Sequence, residues 1–348
     1  MVPSTQHGYR VKAWGTDPVW EEFQVPVPGA GELLIQVEAC SIGLTVLNCI
    51  NGDLSDDPAL LPRVPGHEYV GIVRAVGPGA DPGLIGARIV PYFYLSCGAC
   101  EHCLLGDDSR CTRLAGWVAV HRDGGYAPWT TLPAHNAIVM PEGLDAVAAS
   151  AVPDAVGTPF HVCATRARIG PRDRVVVFGA AGGIGIHMVQ MARLLGGQVA
   201  GIELSDEKLS IVEQHGALPV RGDDLSTLAP GLWDGRRPTV VIDLVGTDAT
   251  LRWGQSALDM GGRLIVLTTF RDRSATYDPR DLVFREIALI GSRYANRAEV
   301  SAAAELVATG RITPVISRSV GPEDVPSVHA DLRDGSLVGR GVLVWPQA

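Results

Sequence analysis

No stretch of eighteen uninterrupted apolar residues occurs in the 348-residue chain, so the sequence predicts no membrane-spanning helix. Met1 to Trp14 holds no apolar run behind a basic stretch, and the expectation is a soluble, cytoplasmic protein with no membrane partner. Positive charge is also short: 29 Lys plus Arg face 38 Asp plus Glu, a net charge of -9. That sign is wrong for gathering phosphate backbones and argues against nucleic acid as a partner. Cysteine is scarce at seven, and four of the seven crowd between positions 97 and 111. Such clustering suits metal binding in a reducing compartment better than a disulfide scaffold.

The chain has no internal repeat, low-complexity tract or long linker, yet it is too long for one average core, which points to two domains. Its first part is rich in Gly, Pro and short alternating stretches such as Glu32 to Glu38 and Tyr69 to Val76, the texture of an all-β domain. From about Asp154 apolar strands alternate with helical segments: Val175 to Phe178, Ile186 to Leu195, Val199 to Ile202 and Asp206 to His215. Strands at Val240 to Leu244, Leu264 to Leu267 and Ile287 to Ile290 continue the series. That rhythm predicts an α/β domain with a doubly wound parallel sheet. A helix over Ala298 to Thr309 and a strand near Gly341 to Val344 close the chain, and the tail is expected to rejoin the first domain. The expected domains are therefore 1–153 with 295–348, and 154–294.

Strand Val175–Phe178 runs into Gly179, Ala180, Ala181, Gly182, Gly183, Ile184 and Gly185 and then into a helix, the setting that a dinucleotide-binding loop requires. Small residues let the backbone approach a pyrophosphate at the helix N-terminus. Glu203 ends the next strand, where a carboxylate accepts from the adenosine ribose hydroxyls and repels a 2'-phosphate, so NAD(H) is favoured over NADP(H). An ordinary tight turn and a solvated strand-end acid are the competing readings. Cys97, Cys100, Cys103 and Cys111 can close around one tetrahedral zinc with no position left open, which makes that metal structural, unless the thiols are free or form disulfides. Cys40, Cys49 and Cys163 read as buried apolar side chains.

Taken with Gly66-His67-Glu68-x-x-Gly71, Gly124-Gly125-Tyr126-Ala127 and Gly339-Arg340-Gly341-Val342-Leu343, these features resemble the medium-chain dehydrogenase/reductase superfamily over nearly the whole length. The likeness is to its alcohol-dehydrogenase-like members with a structural zinc lobe. It implies a GroES-like β domain, a Rossmann domain, a nicotinamide cofactor in the cleft between them, and a homodimer or homotetramer.

By the same resemblance, Gly43 stands where a catalytic-zinc cysteine would be, and Val46 replaces the acid that supports that site. His67 and Glu68 remain, and Asp154 falls at the third-ligand position. Catalytic zinc is therefore expected to be absent, with one structural zinc per chain. The likeness gives Thr45 the proton-relay position, with the next relay histidine replaced by Asn48. It also offers His67 with Asp154 as a general-acid pair or as a filler of the vacated cavity, puts Thr158 against the nicotinamide and sends Arg340 to the pyrophosphate. Phe93, Leu44, Val46 and Trp117 are expected to wall an apolar pocket for an uncharged small molecule, though all four would serve equally as core. The reading is an NADH-dependent reductase of an activated C=C, C=O or C=N that works without catalytic zinc. A zinc alcohol dehydrogenase with rearranged ligands and a non-catalytic nucleotide-binding protein remain open alternatives.

Overall fold

The computed structural model describes residues 2–226, 228, 231–268 and 274–346. It divides into two compact units, Met1–Gly157 with Ala295–Ala348, and Thr158–Tyr294. The first crossover falls at 157/158, where 153/154 was expected. The reason lies in Val152–Val156, a π-helical turn in which the Val156 N–H reaches the Ala151 carbonyl at 3.1 Å. Its side chains are buried in the first unit, and so carry Asp154 there. Single π turns of this kind re-aim a side chain without ending the helix.

The first unit is built on Glu32–Ile42, whose eleven residues are almost all buried because neighbours cover it throughout. Tyr69–Val76 and Trp129–Pro133 pair antiparallel with it, and Arg340–Val344 joins its C-terminal end, also antiparallel. Arg88–Pro91, Ala137–Val139 and Ile316–Val320 extend the sheet. Two registers matter for the site. Gly341 lies opposite Ile42, and Tyr69 lies opposite Cys40. The first residues of one strand, at 340–341, and those just before another, at 67–68, thus converge on the end of a third, at 41–43. Gly43 then turns the chain into the helix Leu44–Asn51.

The second unit carries a six-stranded parallel sheet in the order 218–221, 198–203, 174–178, 240–243, 263–266 and 288–291. This is the order of a Rossmann fold, whose reversal point lies between the strands 174–178 and 240–243. Its four inner strands are largely buried and read as apolar runs, whereas the edge strands 218–221 and 288–291 are largely exposed. Phe178 and Trp253 meet edge to face at 5.4 Å within the core on one side of that sheet. Strand Leu218–Arg221 and helices Asp248–Ala257, Pro279–Arg285 and Val325–Asp334 add to the elements expected from the sequence. Among the described residues no helix is long and apolar enough to cross a membrane.

In the first unit His329 is buried with its Nε2 2.9 Å from the Tyr126 hydroxyl. Burial, helped by the charge of Arg333, pushes the ring down from 6.5 to about 4. A histidine held neutral in the fold but free to charge in the unfolded chain stabilises fully above about pH 6.5, and its contribution drains away as the pH falls towards 4. The loss amounts to roughly 3 kcal/mol. Thermal unfolding followed from pH 7 to pH 4 should show it, and His329→Gln should flatten that part of the profile; an unchanged slope in the variant would count against the assignment.

Candidate active site and metal centre

Four thiols form the first donor cluster. Cys97, Cys100, Cys103 and Cys111 bring their sulfurs within 4.8 Å of one another. The individual separations are 4.0 Å for Cys97 to Cys103, 3.5 Å for Cys100 to Cys103 and 3.8 Å for Cys100 to Cys111. A tetrahedron with zinc–sulfur bonds of about 2.3 Å has edges of about 3.8 Å, so the four sulfurs fit a closed zinc site. Backbone amides already point at them: Cys100 N donates to Cys97 Sγ and Cys97 N to Cys111 Sγ, both at 3.3 Å. Amides at Ala99 and Cys103 hold the Cys97 and Cys100 thiols below the ordinary thiol range, which favours the thiolates a metal needs, whereas burial pushes Cys103 up to about 12. Cys40, Cys49 and Cys163 are buried thiols outside the cluster, and burial pushes Cys49 up to about 12.

A second cluster gathers at the end of strand Glu32–Ile42. His67, Glu68 and Asp154 bring donor atoms within 4.8 Å of one another, and all three are buried, at 1%, 0% and 8% exposure. His67 Nε2 is 3.5 Å from Asp154 Oδ2, its Nδ1 has no partner among the described residues, and its ring stands edge-on to Phe93 at 4.7 Å. Glu68 accepts from the Ala155 amide at 2.9 Å and from the Ser41 hydroxyl at 3.3 Å. Ser41 and the Ala155 amide were not foreseen, because their role depends on strand register and on the π turn.

Arg340 completes this cluster. It is 2% exposed, and its Nη2 lies 3.0 Å from Glu68 Oε2 and 3.7 Å from Asp154 Oδ2. Sequence likeness sends this arginine to a pyrophosphate; the structure places its guanidinium against two buried carboxylates. A Cβ added to Gly43 would lie 1.2 Å from Arg340 Nη1, so the guanidinium fills the space that a side chain at 43 would take. Burial pushes the Glu68 carboxyl up, and Arg340 draws it back down. This arrangement does not fit a catalytic zinc. The first ligand is absent, a fixed cation stands in its place, and both carboxylates are engaged by that cation.

Thr45 and Asn48 stand three residues apart in the helix Leu44–Asn51, on one face and half-buried. Thr45 thus occupies the first helical turn, because Gly43 ends the extended segment. Of the expected pocket walls, Val46 is fully buried core and Leu44 is 50% exposed, while Phe93 touches His67 and Trp117 meets Tyr94 edge to face and His121 at a tilt.

In the second unit, Gly179 leaves strand Arg174–Phe178 with a φ of +71°, and helix Gly185–Leu194 begins after Ile184. A Cβ at Gly185 would meet the Gly179 carbonyl oxygen at 2.0 Å, and one at Gly201 would meet the Ala180 side chain at 2.7 Å. The loop is therefore pressed onto strand and helix in a form that admits a phosphate to its backbone. The Ala181 N–H donates to Glu203 Oε1 at 2.7 Å, which ties the acid at the strand end to the glycine-rich loop. Thr158 is buried at the start of this unit. Val245, which the sequence did not single out, lies 3.5 Å from a Cβ placed on Gly179, held by Asp243, whose Oδ1 accepts from its N–H.

The description of the alcohol dehydrogenase GroES-like domain matches residues 29–142, and that of the zinc-binding dehydrogenases matches 183–309. An acryloyl-coenzyme A reductase of Metallosphaera sedula is 30% identical over 99% of this chain and 98% of its own. The chain belongs to the medium-chain dehydrogenase/reductase superfamily. This medium-chain oxidoreductase is also 30% identical to an alcohol dehydrogenase of Geobacillus stearothermophilus, over 93% of this chain and 95% of that one. Among solved structures, a thermostable alcohol dehydrogenase from Pyrobaculum aerophilum superposes with a TM-score of 0.88 at 30% identity, covering 98% of this chain and 99% of the other.

The thiol cluster generates a direct prediction. Cys100→Ser should lose the zinc bound at the lobe and lower the melting temperature by several degrees, because comparable closed sites carry about 10–16 kcal/mol of apparent binding energy in small peptides. Zinc analysis and calorimetry check it, and a variant with undiminished zinc and stability would contradict the assignment.

Proposed function

We propose that this oxidoreductase uses NADH to reduce a double bond already activated by conjugation, with no metal at the reacting end. The observation that carries the reading is the guanidinium of Arg340 standing in the place of a ligand side chain at Gly43. Without a Lewis acid, deprotonating a simple alcohol, with a pKa near 16, loses several kcal/mol of assistance. One positioned hydrogen bond returns roughly 3–4 kcal/mol at best. A conjugated acceptor needs less, because the negative charge spreads within the substrate. The likeness to acryloyl-coenzyme A reductase over the full length favours a C=C next to a carbonyl.

The dinucleotide supplies the hydride. The glycine-rich loop from Gly179 to Gly185 suits its pyrophosphate, and Thr158 is the residue assigned to its nicotinamide by family likeness. Thr45 is assigned the hydrogen bond to the substrate oxygen and the proton that follows, with Asn48 one turn behind it on the same helix face. His67 and Asp154 are closed off by burial and hold the cluster behind that position.

Glu203 favours NADH over NADPH, and the neighbouring strand reinforces it. Arg221, opposite Glu203, is taken up by Asp206 and by Asp223 at 3.3 Å, so a 2'-phosphate would meet three carboxylates and an occupied arginine. Strand Ala288–Gly291 ends the sheet with an open edge beside exposed Val283 and Phe284, which supports a homodimer through that edge.

The functional test is NADH consumption across enals, enones, enoyl thioesters, aldehydes and simple alcohols. Turnover should be fastest with the conjugated C=C acceptors and undetectable with ethanol or benzyl alcohol; alcohol oxidation at a comparable rate would defeat the reading, and no turnover at all would leave a nucleotide-binding protein. Separately, Glu203→Ala should weaken NADH binding by tenfold or more, the worth of a charge-assisted hydrogen bond, and narrow the gap to NADPH in fluorescence titrations. Tighter binding of NADPH than of NADH by the unaltered protein would reverse the cofactor assignment.

A further inference from the structure

The cluster at Gly43 is more than a ligand set with a member missing. A cage that had merely lost its cysteine would leave a gap lined by His67, Glu68 and Asp154, three donors close enough to hold an ion. In this chain the gap is filled from within. Arg340 reaches it from the first residue of strand Arg340–Val344, because the pairing of Gly341 with Ile42 sets the arginine beside Gly43. Its Nη1 lies 1.2 Å from where a Cβ at 43 would stand, and its Nη2 binds Glu68 while facing Asp154. A side chain at 43 would have to displace the end of the arginine from this position.

We propose that Arg340 is the resident cation of this cage, a positioning residue that holds Glu68 and Asp154 and shuts out divalent metal. Gly43 and Arg340 are thereby coupled: a side chain at 43 would compete with the guanidinium for the space that it now fills. Two features support this. The arginine is buried where a charge must be matched, and its partners are the two acids that would otherwise hold a metal. Glu68 is already saturated by the Ala155 amide, the Ser41 hydroxyl and Arg340. The inference deepens the metal-free reading of the reaction, and rests on it only for the claim that this cage adjoins the chemistry.

The test is metal stoichiometry in the full-length protein, by elemental analysis after saturation with Zn(II) and exhaustive dialysis, and by visible spectra after loading with Co(II). The unaltered chain should hold one zinc, at the cysteine lobe. Arg340→Lys, which keeps a cation in the cage, should also hold one. Arg340→Gln should gain a second, weaker site with oxygen and nitrogen ligands, and Arg340→Gln with Gly43→Cys should gain a tight one that shows a sulfur-to-cobalt charge-transfer band. His67→Ala in that background should remove it. Two zinc ions in the unaltered chain, or one in both folded glutamine variants, would overturn the proposal. If the doubly altered chain fails to fold, the unaltered chain and the single variants still decide. One zinc with no NADH turnover would leave this inference standing and defeat the reductase reading, whereas two zinc ions with turnover would overturn this inference and the metal-free part of that reading, leaving only its NADH-dependent reduction.

Discussion

A single buried contact, between the Arg340 guanidinium and the Glu68 carboxylate at 3.0 Å, organises the reacting end of the first unit. Both groups are withdrawn from water, which is tolerable only while each satisfies the other and the remaining lone pairs find donors. The Ala155 amide and the Ser41 hydroxyl supply those donors to Glu68. Each belongs to a different element: a π turn, the end of a central strand, the start of a terminal strand and the turn before Tyr69. Removing one charge would strand the other at a cost of about 3–5 kcal/mol, so the contact also fixes where these four segments meet.

From that constraint follows the character of the site. A zinc ion would bring two positive charges and require free ligand atoms; the guanidinium brings one, spread over a plane, and engages the acids itself. His67 and Asp154 keep their places, both buried. What remains at the accessible surface of the adjoining helix is neutral, the hydroxyl of Thr45 and the amide of Asn48. Neutral donors suit charge that is delocalised in the acceptor, and serve poorly where an alkoxide must be formed.

Much of this was legible in the sequence where the chemistry is local. The four cysteines come together as their spacing implies, and strand, glycine-rich loop, helix and Glu203 adjoin one another as expected, because neighbours in the chain are neighbours in space. The Rossmann strands came within one or two residues of their observed ends. The position of Arg340 was not legible in the same way. It lies 272 residues from Glu68, and its direction depends on a register between strands that no short window contains. Residue likeness sent it to a phosphate, while the emptied Gly43 gave only half of the coupling. The boundary near Asp154 moved for a similar reason: a π turn leaves no periodic mark strong enough to separate it from the helix it interrupts. Val46 looked like a pocket wall for its apolarity alone and proves to be core.

Crystals of the unaltered protein grown with excess zinc, with diffraction recorded on both sides of the zinc absorption edge, address the central claim most directly. The account predicts one anomalous peak per chain, among Cys97, Cys100, Cys103 and Cys111, and guanidinium density beside Gly43. A second anomalous peak bonded to His67, with Arg340 swung away from Glu68, would contradict it.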